Sequence, residues 1–189
     1  MQKKINEKPQ SDTSKTETLE KVKTAITASL DKVDTSILGR IIPRNIIPPV
    51  YFLAALILMA VLDQFAPMSH LIYVPLRVFG GLLALGGLIV TACAAYAFKQ
   101  AETPIKPFEK PTLLVTRGLF QYSRNPMYLG MIIILIGVWI SLGSFSPVFV
   151  IPVFFIIMLE GFIKHEEPFL EKIFGDEYRE YKSKVRRWM

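Results

Sequence analysis

Two stretches of this chain gather groups that bind ionic ligands or move protons. In the first, Tyr122-Ser123-Arg124-Asn125-Pro126-Met127-Tyr128 sets a guanidinium and an amide directly before a proline. The residue before a proline is biased away from helix, so Pro126 is expected in the first turn of a helix that starts there. That arrangement puts Arg124 beside the free amides of a helix start, which suits an anion or a carboxylate. The plainer reading makes Arg124 and Tyr128 interfacial anchors. In the second stretch, Glu160-Gly161-Phe162-Ile163-Lys164-His165-Glu166-Glu167 places one carboxylate in or at the edge of an apolar run and two more nearly two turns later. Adjacent carboxylates repel, so a cationic partner or ligand is favourable there. A solvated helix end is the plainer reading, but acids at a helix C-terminus oppose its dipole. A His-Glu-Glu metal site is a lesser alternative, because consecutive side chains point in different directions. Further on, Tyr178 and Tyr181 lie about a turn apart and share a face. Arg186 and Arg187 suit lipid headgroups first, and a carboxylate-bearing ligand second.

The elements that must hold these groups are apolar. Of 189 residues, 51% are hydrophobic, and the excess is unevenly placed. Residues 1–44 hold no aromatic residue and fifteen charged ones, so the remainder is far more apolar than the average. Four segments read as membrane spans: Pro49 to Phe65, Leu71 to Phe98, Met127 to Leu142 and Phe145 to Ile163. A helix needs about 17–25 apolar residues to cross the hydrocarbon, so the second is ample and the others are short. Ser141 to Pro147 (SLGSFSP) breaks the last two into a tight hairpin. The expected fold class is an all-α integral membrane protein of about four transmembrane helices, with a C-terminal helical hairpin and a helical cytoplasmic tail. The expected division is a polar arm, 1–44, and a membrane domain, 45–189.

Lys and Arg are distributed in alternation. Residues 1–44 carry nine, 99–126 five and 164–189 seven, while the two remaining loops carry none and Arg77 completes the set. That is the positive-inside pattern, and it predicts both termini and the central loop on the cytoplasmic side of a multi-pass protein, with a bacterial inner membrane as the expected site. The net charge of +6 therefore points to a membrane surface rather than nucleic acid. In the arm, Leu19, Val22, Ile26, Leu30, Val33 and Ile37 recur at helical spacing; an interfacial helix, a short coiled coil and a solvated arm all remain open. Gly80, Gly81, Gly86 and Gly87 lack the strand a nucleotide loop would need and read as close helix packing. A single Cys excludes a disulfide framework, and Cys93 reads as a packing residue. His70 reads as solvated at the outer interface.

In this order, the pieces resemble the membrane methyltransferases of the isoprenylcysteine carboxyl methyltransferase and phospholipid methyltransferase family. The matching residues are Thr103-x-x-x-Pro107, Leu114-Val115-Thr116-x-Gly118, Tyr122, Arg124-Asn125-Pro126-Met127-Tyr128 and Gly130, then Glu166-Glu167, Leu170, Phe174-Gly175-x-x-Tyr178-x-x-Tyr181 and Arg187. They cover about residues 100–189. The resemblance implies S-adenosylmethionine (SAM) as methyl donor, bound at the cytoplasmic face, and a lipid-like or lipidated acceptor. It points to Tyr122, Arg124, Asn125, Pro126, Tyr128, His165, Glu166 and Glu167 for cofactor binding, and to Arg187 and Glu167 for catalysis, with no metal. Prenylcysteine-modifying members carry His between the Arg and the Pro, where this chain has Asn125, which hydrogen-bonds but does not titrate near neutrality. SAM carries a sulfonium and an ammonium, which suit carboxylates and aromatic faces, and a carboxylate, which suits Arg. Carboxyl O-methylation needs no base. Amine N-methylation must first remove a proton, for which Glu166, Glu167 or His165 would serve. Both chemistries stay open, as does a non-catalytic membrane binding or assembly role on the same scaffold. The oligomeric state is also open.

Overall fold

Prolines, glycines and one buried clasp decide where the helices of this protein begin, meet and end. The computed structural model describes residues 47–67, 74–104 and 111–189, all within the compact unit Leu38–Met189. The periodic arm, His70 and the Lys106-Pro107 part of the central loop lie outside the described residues.

Helix α1, Pro48–Phe65, starts on prolines, which cost nothing where the N–H has no helical partner. It buries Ala55 and Met59 and turns Leu53, Ile57, Leu58 and Val61 outward. Helix α2, Val74–Gln100, has 27 residues and so spans about 40 Å. Helix α3, Pro126–Leu142, begins with Pro126 in its first turn, as its sequence predicts, and Asn125 before it. It ends at Gly143, whose φ of 88° suits a glycine cap; its N–H donates to Trp139 O at 3.1 Å.

Helices α2 and α3 run antiparallel with their backbones in contact. A Cβ on Gly80 would lie 2.7 Å from Gly137 O, and one on Gly87 would lie 2.7 Å from Gly130 O. Two of the four glycines therefore serve helix packing. Gly86 meets nothing within 4 Å and Gly81 only Ser141 Oγ at 3.9 Å. At the far end Arg77 donates to Leu142 O, placing its cation at the negative end of α3. The hairpin after α3 is tied to α1: Ser144 Oγ donates to Asp63 Oδ1 at 2.5 Å and Ser146 Oγ to Leu62 O at 3.2 Å.

The fourth span is longer than its apolar run. It passes through a 3₁₀ turn, Ser146–Phe149, into α4, Val150–Ile156, then a π-helical stretch, Ile157–Ile163, and continues as α5, Lys164–Phe174. Phe154, Met158, Phe162 and Ile163 form the core with Leu135 and Met131 of α3 and Met59 of α1. Tyr51 and Phe52 of α1 meet Phe162 and Phe154 edge-on, at 5.7 and 6.0 Å between ring centres. Gly175, with φ of 55°, breaks the helix and starts α6, Asp176–Lys184, which presses Tyr178 and Tyr181 inward. Among the described residues, three helices are long and apolar enough to cross a membrane, and α3, at 17 residues, is a shorter apolar fourth. The protein is an all-α membrane protein.

Candidate functional site

A cavity of about 200 Å³ opens between the start of α1, the end of α2, the start of α3 and α5. Its walls come from Ile47, Pro48 and Pro49 at the start of α1, Phe98 near the end of α2, Pro104 and Pro111 of the central loop and Phe120 of a 3₁₀ turn, Gly118–Gln121. Arg124 to Tyr128 and Met131 of α3 form another side, and Glu166, Phe169 and Leu170 of α5 close it. The loop is pinned by Thr112, whose N–H donates to Thr103 Oγ1 at 2.9 Å and whose hydroxyl donates to Glu102 O at 3.1 Å. The wall is mostly apolar, with four polar side chains.

Two of those four form a pair. Tyr128 donates its hydroxyl to Glu166 Oε1 at 2.8 Å. The third, Arg124, faces Glu167 Oε1 through Nη1 at 3.3 Å, and its buried Nε has no hydrogen-bond partner in the described residues. Arg124 as a whole lines the cavity, and a guanidinium there suits an acceptor such as a carboxylate. The fourth, Asn125, donates Nδ2 to Arg187 O at 3.1 Å.

A second ionic group lies behind the wall. Arg187 grips Glu167 with two bonds, Nε to Oε1 at 2.8 Å and Nη2 to Oε2 at 2.6 Å. The hydrogen bonds to Glu167 push the Arg187 guanidinium above its usual range. Glu160, buried in the π-helical stretch, pairs with Lys164 one turn on, at 2.6 Å. Tyr181 donates to Phe120 O at 2.7 Å, and burial raises its phenol and that of Tyr178. Among the described residues, no three His, Cys, Asp or Glu side chains are grouped to hold a metal ion.

The residues singled out by sequence separate accordingly. Arg124, Asn125, Pro126, Tyr128 and Glu166 line the cavity; Glu167 and Arg187 pair with each other outside its lining, and His165 is not in the lining either. Tyr122 is 69% exposed, pointing away from the core. The reading of Glu166 and Glu167 as a helix end needs correction, because the helix runs on to Phe174. The dipole argument applied to them falls with it. Phe98, Phe120 and Phe169, three aromatic walls, were not singled out by sequence, since nothing in their spacing distinguishes them from ordinary core residues.

Residues 76–177, more than half of the chain, match the phospholipid methyltransferase family. A protein-S-isoprenylcysteine O-methyltransferase of Schizosaccharomyces pombe is 36% identical over 106 residues, which is 56% of this chain and 45% of that protein. An uncharacterized protein of Haemophilus influenzae is 41% identical over 63 residues, 33% of this chain and all of that protein. The chain thus spans less than half the length of the fission-yeast relative. No solved structure matches it. With the match running from α2 through the cavity to the start of α6, the chain belongs to the phospholipid methyltransferase family.

Proposed function

We propose that the protein is a SAM-dependent membrane methyltransferase whose cavity binds SAM at the cytoplasmic face and receives a lipid-like or lipidated acceptor from the bilayer. The observation that carries this reading is convergence. Arg124, Asn125, Pro126, Tyr128 and Glu166 come from segments about forty residues apart, all within the family-matching region, and line one cavity.

The side chains present fit the donor's charges. The Arg124 guanidinium suits its carboxylate, while Glu166 and the rings of Phe98, Phe120 and Phe169 suit its cationic centres. Bound SAM would supply an electrophilic methyl group on a positively charged sulfur. The chain's own contribution is positioning and dryness: an apolar wall excludes water, and polar groups at its edges would hold both reactants in line. For an amine acceptor, Glu166 is the carboxylate placed to take the proton. For a carboxylate acceptor no base is required.

Calorimetry of SAM with detergent-purified protein should show saturable binding, and radiolabelled SAM should transfer its methyl group to a lipid-extractable product of total membranes. Folded protein that binds no SAM at high concentration would overturn the reading in favour of a non-catalytic scaffold.

A further inference from the structure

The turn that carries Arg124 does not satisfy its own polar groups. Asn125 stands before the first turn of α3, where an Asn side chain ordinarily caps the helix amides, yet it makes no capping bond. Its Nδ2 instead donates to Arg187 O at 3.1 Å. Ser123, 1% exposed, donates its hydroxyl to the same carbonyl at 3.1 Å and accepts from Asn125 N–H, also at 3.1 Å. The Arg124 N–H donates to Arg186 O at 3.0 Å. Three donors of one turn thus depend on two consecutive carbonyls of the segment that follows α6.

That segment is fixed at two further points. The Arg187 side chain grips Glu167 of α5 with two bonds, and Trp188 stacks at 5.1 Å on Phe155 of α4. Left without the segment, the turn would hold a nearly buried hydroxyl and two further donors lacking these acceptors, an arrangement that favours rearrangement of the backbone around Arg124.

We propose that residues 185–189 are a strap that builds the polar edge of the cavity, with Ser123, Arg187 and Trp188 acting as positioning residues that set Arg124 rather than touching the ligand. The role of that edge in holding SAM rests on the function proposed above; the strap itself does not. Arg187 works through Glu167, which faces Arg124 at 3.3 Å.

The test uses the full chain with Trp139→Phe, so that Trp188 is the only tryptophan, and reads acrylamide quenching beside SAM affinity. Ser123→Ala and Arg187→Gln should each increase quenching of Trp188. They should weaken SAM by about tenfold, the scale of a lost charge-assisted or buried hydrogen bond, and raise KM for SAM more than they lower kcat. Arg187→Lys keeps the charge but not the fork, and should recover part of both. If Arg187→Gln weakens SAM while Trp188 stays shielded, Arg187 contacts the ligand and the strap role is overturned. If Trp188 is released and SAM affinity is unchanged, the strap does not build the edge. Should wild-type protein bind no SAM, the functional reading fails, and the strap is judged by alkylation of Met127→Cys in a Cys93→Ala background. Release of the turn by Ser123→Ala should speed that reaction several-fold, and an unchanged rate overturns the strap. If Ser123→Ala does not fold, Arg187→Gln carries the same comparisons.

Discussion

Glu166 meets Tyr128 in the cavity wall, while Glu167, one residue on, is held by Arg187 and Arg124 behind it. Consecutive side chains on a helix diverge by about 100°, so a Glu-Glu pair reaches two environments and rarely acts as one group. Exchanging each for Gln separates them. Glu166→Gln should weaken SAM by about ten- to a hundredfold, the worth of one charge-assisted hydrogen bond, and leave the unfolding temperature nearly unchanged. Glu167→Gln should do the reverse first: two guanidinium groups lose their counter-ion, and stability falls by about 1–3 kcal/mol, discounted from a fully buried pair because Arg187 is partly exposed. Calorimetry and thermal unfolding of both variants check this, and equal effects on binding would show the pair acting together. At this scale Arg124 to Tyr128 was legible, since Pro126 fixes a helix start and thereby its neighbours. Which of His165, Glu166 and Glu167 faces the cavity was not, because that depends on the rotation of α5 after the π-helical stretch. Nothing in the residue types of Ile157 to Ile163 announces that widened turn.

Helix contacts translate glycine positions into stability. Gly87 of α2 has no room for a side chain: a Cβ would meet Gly130 O at 2.7 Å and Ile134 N at 2.8 Å, both backbone atoms that move only if the helices part. Gly86, one residue earlier, meets nothing within 4 Å. Gly87→Ala should therefore lower stability by about 1–3 kcal/mol, as overpacking does, and lower the unfolding midpoint in detergent. Gly86→Ala should be neutral or slightly stabilising, because alanine is the better helix former. Similar midpoints for the two variants would mean that α2 and α3 are not in backbone contact. Sequence pattern located the first three spans and the start of the fourth to within a few residues, and read all four glycines of α2 as packing residues. Only Gly80 and Gly87 meet the α3 backbone, because in each adjacent pair one residue faces it and the other turns aside by about 100°. The fourth span runs eleven residues past Ile163, where the apolar run stops, because α5 is amphipathic and a hydropathy limit ends at the first charges.

Orientation is a property of the whole chain. Among the described residues, the cavity lies at the end of the bundle that carries Lys99, Arg124 and the basic residues of α6. The opposite end holds the turn from Gly143 to Ser146 and the end of α1, which carry none. Arg77 is the exception, and the fold gives it a local reason: its guanidinium donates to Leu142 O at the end of α3, so it serves a helix end rather than a membrane surface. Discounting it makes the positive-inside pattern sharper, and the cavity is then expected to face the cytoplasm. Single cysteines in a Cys93→Ala background test this in intact cells. Ala66→Cys and Phe145→Cys replace exposed side chains at the end opposite the cavity, and both should react with an impermeant thiol reagent. Leu113→Cys and Ser183→Cys replace exposed side chains at the basic end, and both should react only after the membrane is permeabilised. The reverse pattern would place Arg124, Glu166 and the whole cavity outside the cell. A cytosolic methyl donor would not reach them there, and the orientation and the proposed function would fail together.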